Sequence, residues 1–527
     1  MLYKWQISAL EKLGVLKNKL QDGIISAPTG SGKTVVAYVW AGLLDINLQP
    51  IFPTKRVIFT APIKALSSER YMDLKKKGFD VGLETGDFKK NEKAKILCCT
   101  QEIYTLKYSS LPEQMVVIDE FHYIFNDSSR TRAYIDAFRR TPCDSRMLVM
   151  SATFGEASIV KSYLSTMARR EFVLFNTNER ATALVFKDRG IRPQYIHDAL
   201  VFAFSKKGVE YVANLIAKSR RRLAKQSSDR LFEIANILEV DEIPATYFRG
   251  VGMYYGSMLP KEKLFTETSF RERIIDVVAG TDALSLGVNF PVETVVFAQM
   301  AKLIDGPLTK NEFLQMSGRA GRKGYFNTGY VTYLPGSKCE NFSYDTANLY
   351  LNTLHKPQEL AKITIHPSMN KLLTGNATIE MEAKVISNCS LPEVSFKKAL
   401  KIVSQNLREL DLELLFIKDK NKRKILKKIL GEIWSDEIEL EQNVQVAELF
   451  YSHDVATSWQ LLSIFEKTER NRLQALLKVK RFTSHLPSNY SIVKLQEIDE
   501  EINKIDSSVF GFEDKIELID ASINKSY

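Results

Sequence analysis

Long apolar runs are missing from this chain. No stretch approaches the ~20 residues that span a bilayer, so a helical membrane protein is excluded. Met1–Gln6 lead into no signal-peptide core, because Glu11, Lys12 and Lys17 interrupt the region, and secretion is not expected. Cysteine is sparse: Cys98, Cys99, Cys143, Cys339 and Cys389 form no C-x-x-C pair. That spacing argues against a zinc site or a disulfide framework and points to reduced thiols in the cytoplasm. Six histidines are present. His197-Asp198 and His453-Asp454 are the only hints of a two-metal phosphohydrolase, and His197 directly precedes an apolar run that reads as a strand. Low-complexity tracts and internal repeats are absent, and the tail carries no acidic or metal-spaced cluster of a nuclease.

What is present is the composition of a folded protein, 45% hydrophobic and 26% charged over 527 residues, which excludes disorder. At ~150 residues per domain, three or four domains are expected. The formal charge of +10 is unevenly placed. Residues 1–340 hold 48 Lys+Arg against 36 Asp+Glu, whereas 341–527 hold 25 against 27. A basic front part fits an anionic partner such as nucleic acid, or an ordinary solvated surface; charge alone does not choose.

Short β-branched runs alternate with helix-sized intervals over residues 22–335. Strands are expected at Gly23–Ser26, Arg56–Ala61, Lys95–Thr100, Met115–Asp119 and Met147–Ser151. A second series falls at Ala199–Phe204, Ile274–Ala279, Thr294–Gln299 and Gly329–Leu334. Almost wholly apolar runs at this spacing read as buried parallel strands, and a break near 170–190 separates two α/β domains. Beyond about residue 340 helical periodicity takes over. Leu400, Val403, Leu407, Leu410 and Leu414 mark a core helix rather than a coiled coil. The basic runs Lys218–Lys225 and Lys422–Lys428 read as exposed helix faces, with a nucleic-acid track as the alternative for the first.

Three segments carry chemistry. Ala27-Pro28-Thr29-Gly30-Ser31-Gly32-Lys33-Thr34 follows a strand and opens a helix. A glycine turn there aims successive N–H groups at phosphate oxygens, with Lys33 on the β- and γ-phosphates and the Thr34 hydroxyl on Mg²⁺. Ala27 stands where the general pattern has Gly. Met115–Glu120 is a strand ending in two acids. Asp119 would hold Mg²⁺, and Glu120 would orient or deprotonate the attacking water. In Gln315-Met316-Ser317-Gly318-Arg319-Ala320-Gly321-Arg322, two arginines among glycines can face one site if the segment opens a helix. There they would stabilise a transferring phosphoryl group.

In this order and spacing, the segments resemble the superfamily-two helicases, and most closely the superkiller-type (Ski-like) DExH branch. Asp119-Glu120-Phe121-His122 is similar to the DExH box and Ser151-Ala152-Thr153 to motif III. Thr281–Pro291 is similar to motif V and Gln315–Arg322 to motif VI. The resemblance covers residues 1 to about 335. It implies two tandem RecA-like P-loop domains with parallel sheets, residues 1–175 and 176–340. A mainly helical accessory region, 341–527, would follow, with room for a reduced winged helix and a helical bundle. It implies ATP with Mg²⁺, a wall of Lys33, Thr34, Asp119 and Glu120, and a facing wall of Arg319 and Arg322. Gln6 would read the adenine, unless it is a surface residue of an amphipathic helix. Asp282, Gly287 and Gln315 would lie near the nucleotide. Pro62, Lys64, Gly86, Thr100, Ser205, Gly256 and Thr281 would grip a single strand by its backbone.

Two departures bear on activity. Paired histidines usual before the glycine are Tyr254-Tyr255-Gly256 here, open to base stacking or to core packing. The interval Val292–Phe313 leaves room for only a minimal wedge hairpin. The implied function is an ATP-dependent helicase or translocase, with RNA favoured over DNA by resemblance alone. The alternatives are a DNA helicase, or an ATP-regulated clamp with little duplex unwinding. A protein partner on the C-terminal region, a cytoplasmic location and no membrane complete the expectation.

Overall fold

The computed structural model describes residues 2–452, apart from 86–88, 126–127, 153–154, 257, 286–289, 303–305, 322–323, 336–344 and 435–439. Eight strands form a first sheet: β1 (Gly23–Ser26), β2 (Arg56–Ala61), β3 (Val81–Glu84), β4 (Lys89–Lys90), β5 (Ile96–Thr100), β6 (Gln114–Ile118), β7 (Arg146–Ser151) and β8 (Val173–Asn176). Their order is β4-β3-β5-β2-β6-β7-β1-β8, all parallel except β4, which runs antiparallel to β3. Interleaved with them are α1 (Lys4–Lys12), α2 (Lys33–Trp40), α3 (Lys64–Lys76), α4 (Gln101–Ile103), α5 (Ser128–Arg140) and α6 (Ala157–Ala168). Helices cover both faces, so β1, β5 and β6 are buried at every residue. Their sequences are accordingly apolar throughout rather than alternating.

A second sheet takes up β9 (Ala183–Phe186), β10 (Ala199–Phe202), β11 (Val251–Tyr254), β12 (Val277–Gly280) and β13 (Thr294–Phe297). A two-residue-per-strand hairpin, β14 (Ala301–Lys302) and β15 (Gly306–Pro307), comes before the last strand, β16 (Thr328–Tyr333). The order is β11-β12-β10-β13-β16-β9, all parallel, with α7 (Lys206–Lys218), α8 (Lys225–Leu238), α9 (Pro260–Arg271) and α10 (Lys310–Ser317) packed on it. The expected strands are all found within a few residues. The expectation passed over the short strands β3, β4, β8, β9, β11, β14 and β15.

The C-terminal region is helical: α11 (Thr346–His355), α12 (Met369–Leu373), α13 (Ile379–Cys389), α14 (Phe396–Leu415), α15 (Lys420–Ile433) and α16 (Leu440–Ser452). The leucine pattern corresponds to α14, which buries Ala399, Val403, Leu410 and Leu414. α13 and α14 share one apolar core with α5 and α6, through Ile386, Cys389 and Val403 against Phe138, Val160 and Tyr163. Glu382, almost wholly buried, takes a fork from Arg132 (2.5 and 2.8 Å). The connection from α11 to this unit runs as a strap. Glu359 caps the N-terminus of α10, accepting from the Lys310 and Asn311 N–H groups (2.7 and 3.0 Å). Leu360 then pairs with Gly155, just past the Ser151–Thr153 segment.

Candidate active site

β1 delivers its chain to α2 through Ala27–Gly32. Gly30 and Gly32 adopt φ of 76° and 95°, a left-handed backbone that favours glycine. Ser31 is buried and its Oγ has no hydrogen-bond partner. Lys33 Nζ folds back to donate to the Ala27 and Pro28 carbonyls (2.8 and 3.2 Å). Burial lowers its pKa, against the pull of Glu120 and Asp119. A buried cation held only by carbonyls, beside an orphaned hydroxyl and a glycine turn, is a cradle suited to phosphate. Thr34 follows, half-buried, in the first turn of α2. Gln6 donates to the Gly32 carbonyl (3.0 Å) and accepts from the Tyr3 N–H (2.8 Å). It is buried against the loop and not an exposed helix residue.

The register of β2 on β6 brings Asp119 to the carboxyl edge, where its N–H donates to the Thr60 carbonyl (2.9 Å). Both Asp119 oxygens are engaged: Oδ2 by Arg70 (2.7 Å) and Oδ1 by the Glu120 N–H (2.9 Å). Arg70, on α3, also donates to the Tyr38 hydroxyl (3.1 Å), which donates to Asp73 (2.6 Å). One guanidinium therefore ties α2, α3 and the end of β6 together. Burial raises the Asp119 pKa against the charge of Arg70. Burial also pushes Glu120 upward, but His122, Lys33, Arg319 and Arg70 outweigh it and hold Glu120 below the usual range. His122 Nδ1 lies 3.3 Å from Glu120 and accepts from the Ala152 N–H (3.3 Å), joining the DExH segment to the Ser151–Thr153 segment. Burial lowers its pKa. Thr34 and Asp119 present hard oxygen donors suited to Mg²⁺. No three His, Cys, Asp or Glu side chains converge on a point among the described residues, so the ion would share its shell with phosphate and water.

The second domain supplies the far wall. Gln315 and Gly318 face Pro28, Thr29 and His122 across a cleft of about 420 Å³. A Cβ on Gly318 would come within 2.9 Å of Thr29. The motif-VI-like segment closes α10 rather than opening a helix: α10 ends at Ser317, Gly318 caps it, and Gly321 at φ 72° turns the chain away. Arg319 thus projects from a helix end, near enough for its charge to depress Glu120 and His122. Arg322 and Gly287 lie outside the described residues. Asp282, expected beside the nucleotide, sits in a short turn 3.6 Å from Lys302. Among the cleft residues without a sequence signal are Asn178 and Arg180 on the β8–β9 connection, and Gln358 on the strap.

The expected strand contacts gather on the same carboxyl edges. Pro62 and Lys64 follow β2, and Thr100 ends its neighbour β5. Ser205, Gly256 and Thr281 follow β10, β11 and β12, adjacent in the second sheet. The Pro62 carbonyl accepts from Arg130. Ser205 caps α7 through the Gly208 N–H (2.9 Å), and Thr281 accepts from the Ala283 N–H (3.3 Å). Gly256 is exposed, with open space where a Cβ would point. Gly86 lies outside the described residues. Tyr254 resolves to core packing: it is buried edge-on against Phe290 and donates to Glu267 (3.0 Å). Within the Lys218–Lys225 run, Arg220 forks onto Asp276 (2.5 and 2.8 Å) and braces the second sheet.

A phosphate loop facing an arginine-bearing wall across two mainly parallel α/β sheets defines a two-domain P-loop architecture of the nucleoside-triphosphate-binding kind. Residues 3–161 match the DEAD/DEAH box helicase family and residues 191–324 the helicase conserved C-terminal domain. The chain belongs to the superfamily-two DExH-box helicases, on their superkiller-type branch. It is 28% identical to the DExH-box ATP-dependent RNA helicase DExH9 of Arabidopsis thaliana, over 60% of this chain and 40% of the relative. The human exosome RNA helicase MTR4 is 26% identical over 60% and 37%. Human superkiller complex protein 2 is 25% identical over 68% and 35%. The chain thus spans about two-fifths or less of the length of these curated relatives.

Proposed function

We propose that the chain is an ATP-dependent nucleic-acid motor acting on single-stranded RNA. The observation that carries this reading is that Lys33 and Glu120, with Asp119 beside them, from one sheet lie within electrostatic reach of Arg319 from the other, beside the cleft between Pro28–Thr29 and Gln315–Gly318. ATP would draw Lys33 off the Ala27 and Pro28 carbonyls onto its phosphates, and Glu120, kept ionised, would take the proton of the attacking water. Mg²⁺ held through Thr34 and Asp119 would neutralise charge on the phosphates. Arg319, with Arg322, would complete the far wall on closure, and reopening after hydrolysis would shift one sheet edge along the strand. Asp282, Gly287 and Gln315 would stand by the nucleotide, with Gln6 against its base. Pro62, Lys64, Gly86, Thr100, Ser205, Gly256 and Thr281 would track the strand.

The motor domains are taken as residues 1–175 and 176–340, with 341–527 as an accessory region containing a reduced winged helix and bundle. RNA is preferred to DNA because the named relatives are RNA helicases. The cysteines described, Cys98, Cys99, Cys143 and Cys389, are free thiols, which supports a cytoplasmic setting. No described helix is long and apolar enough to cross a membrane. A clamp with little unwinding is the second reading, favoured by the two-residue strands of the β14–β15 hairpin. ATPase rates with RNA, single-stranded DNA and neither, at stated salt, beside a strand-displacement assay, decide among these. Stimulation by RNA with displacement supports the first reading, and stimulation without displacement supports the clamp. No stimulation by either polymer contradicts both.

A further inference from the structure

Arg180 lies on the six-residue connection between β8 and β9, the hinge between the two sheets. Its Nη2 donates to the Ala320 and Gly318 carbonyls (2.9 and 3.3 Å). The same nitrogen is 3.7 Å from where a Cβ on Gly30 would sit. Its Nε is buried with no hydrogen-bond partner. Among the described residues it forms no ion pair, and burial alone pulls its pKa down. Its charge also reaches Lys33 unfavourably. A buried cation, Lys33, and a partly buried one, Arg180, thus stand together at the phosphate loop, and the hydrogen-bond partners of Arg180 are neutral carbonyls.

A guanidinium partly withdrawn from water, with its Nε unpartnered and no counter-ion, is costly unless an anion completes the site. Carbonyls at the end of α10 hold Nη2, the same nitrogen that stands beside Gly30 of the phosphate loop. We infer that Arg180 is a nucleotide-phosphate ligand, binding the phosphates cradled by Thr29–Ser31 while gripping the Gly318–Ala320 turn. This inference rests on the ATP-site reading and adds a third arginine to it, one placed on the hinge. Because Thr182 Oγ1 also donates to the Gly321 carbonyl, phosphate held by Arg180 would fix the angle between the Arg319 turn and the phosphate loop.

Binding of fluorescent ADP, in EDTA to keep metal out, tests this with wild type, Arg180→Ala and Arg180→Lys, alongside nucleotide-free melting temperatures. Removing one charged phosphate contact should weaken ADP by about tenfold or more. Lys, which keeps charge but not the fork, should fall between Ala and wild type. The nucleotide-free melting temperature of Arg180→Ala should hold or rise, since an uncompensated, partly buried charge is gone. Wild-type binding together with variants within twofold of it overturns the inference, and a lowered melting temperature would then assign Arg180 a bracing role only. If wild type itself binds no ADP, the ATP-site reading fails first.

Discussion

Glu120 and Arg70 show how single side chains here act through charge placement. Glu120 is held ionised by four surrounding cationic or titratable groups, so a neutral isostere should remove base function and leave the cleft intact. Glu120→Gln is expected to lower turnover about 10²–10⁴-fold with nucleotide affinity retained; proportional losses of both would assign Glu120 a binding role instead. Arg70 never faces the cleft, yet it fixes one oxygen of Asp119 and the Tyr38 hydroxyl. Arg70→Gln should lower kcat more than it weakens ADP binding in EDTA, because only metal-dependent steps need Asp119 in place. Equal effects on both would make it a purely structural residue. The phosphate loop and the acidic pair were legible in the sequence because local backbone geometry dictates their residue types. Arg70 and Arg180 were not, since their partners lie 49 and up to 140 positions away.

Between elements, the strongest coupling not visible in the sequence is the docking of α13 on α5. The buried Glu382 receives the Arg132 fork and also accepts from the Ser368 N–H (2.9 Å). Removing one member of a buried pair strands the other, at about 3–5 kcal/mol. Arg132→Ala should therefore lower the melting temperature by several degrees and expose the α13–α14 unit to limited proteolysis. Replacing both residues with apolar ones should recover much of the loss. An unchanged protease pattern in Arg132→Ala would show that the apolar contacts of Ile386 and Val403 suffice. Helical periodicity announced α14, but no period tells which face of another domain a helix will meet. The strap is the same case: Glu359 reads as an ordinary surface acid until its carboxylate is seen capping α10.

At the scale of the whole molecule, the two sheets bring acids together on the side where the proposed strand contacts would lie. Glu267 on α9 has its pKa raised from 4.5 to about 7, first by burial and further by Glu69 on α3, with Tyr254 opposing. Between those values the folded chain keeps a proton that the unfolded chain releases. Stability from this group therefore falls as pH rises through that window and stays low above it. Glu267→Gln should melt higher than wild type at about pH 8 and converge with it below about pH 4.5; parallel curves across that range would show that Glu267 does not titrate there. Domain count, sheet direction and the motif order were readable in the sequence because they repeat a spacing of strand, loop and helix. The closeness of the two walls was not, since it depends on Gly318 packing against Thr29. That cleft is the centre of the reading, and RNA-stimulated ATP turnover by wild type and Lys33→Ala addresses it most directly. Wild type should hydrolyse ATP faster with RNA present, and Lys33→Ala should show almost none; comparable turnover by the two proteins would contradict it.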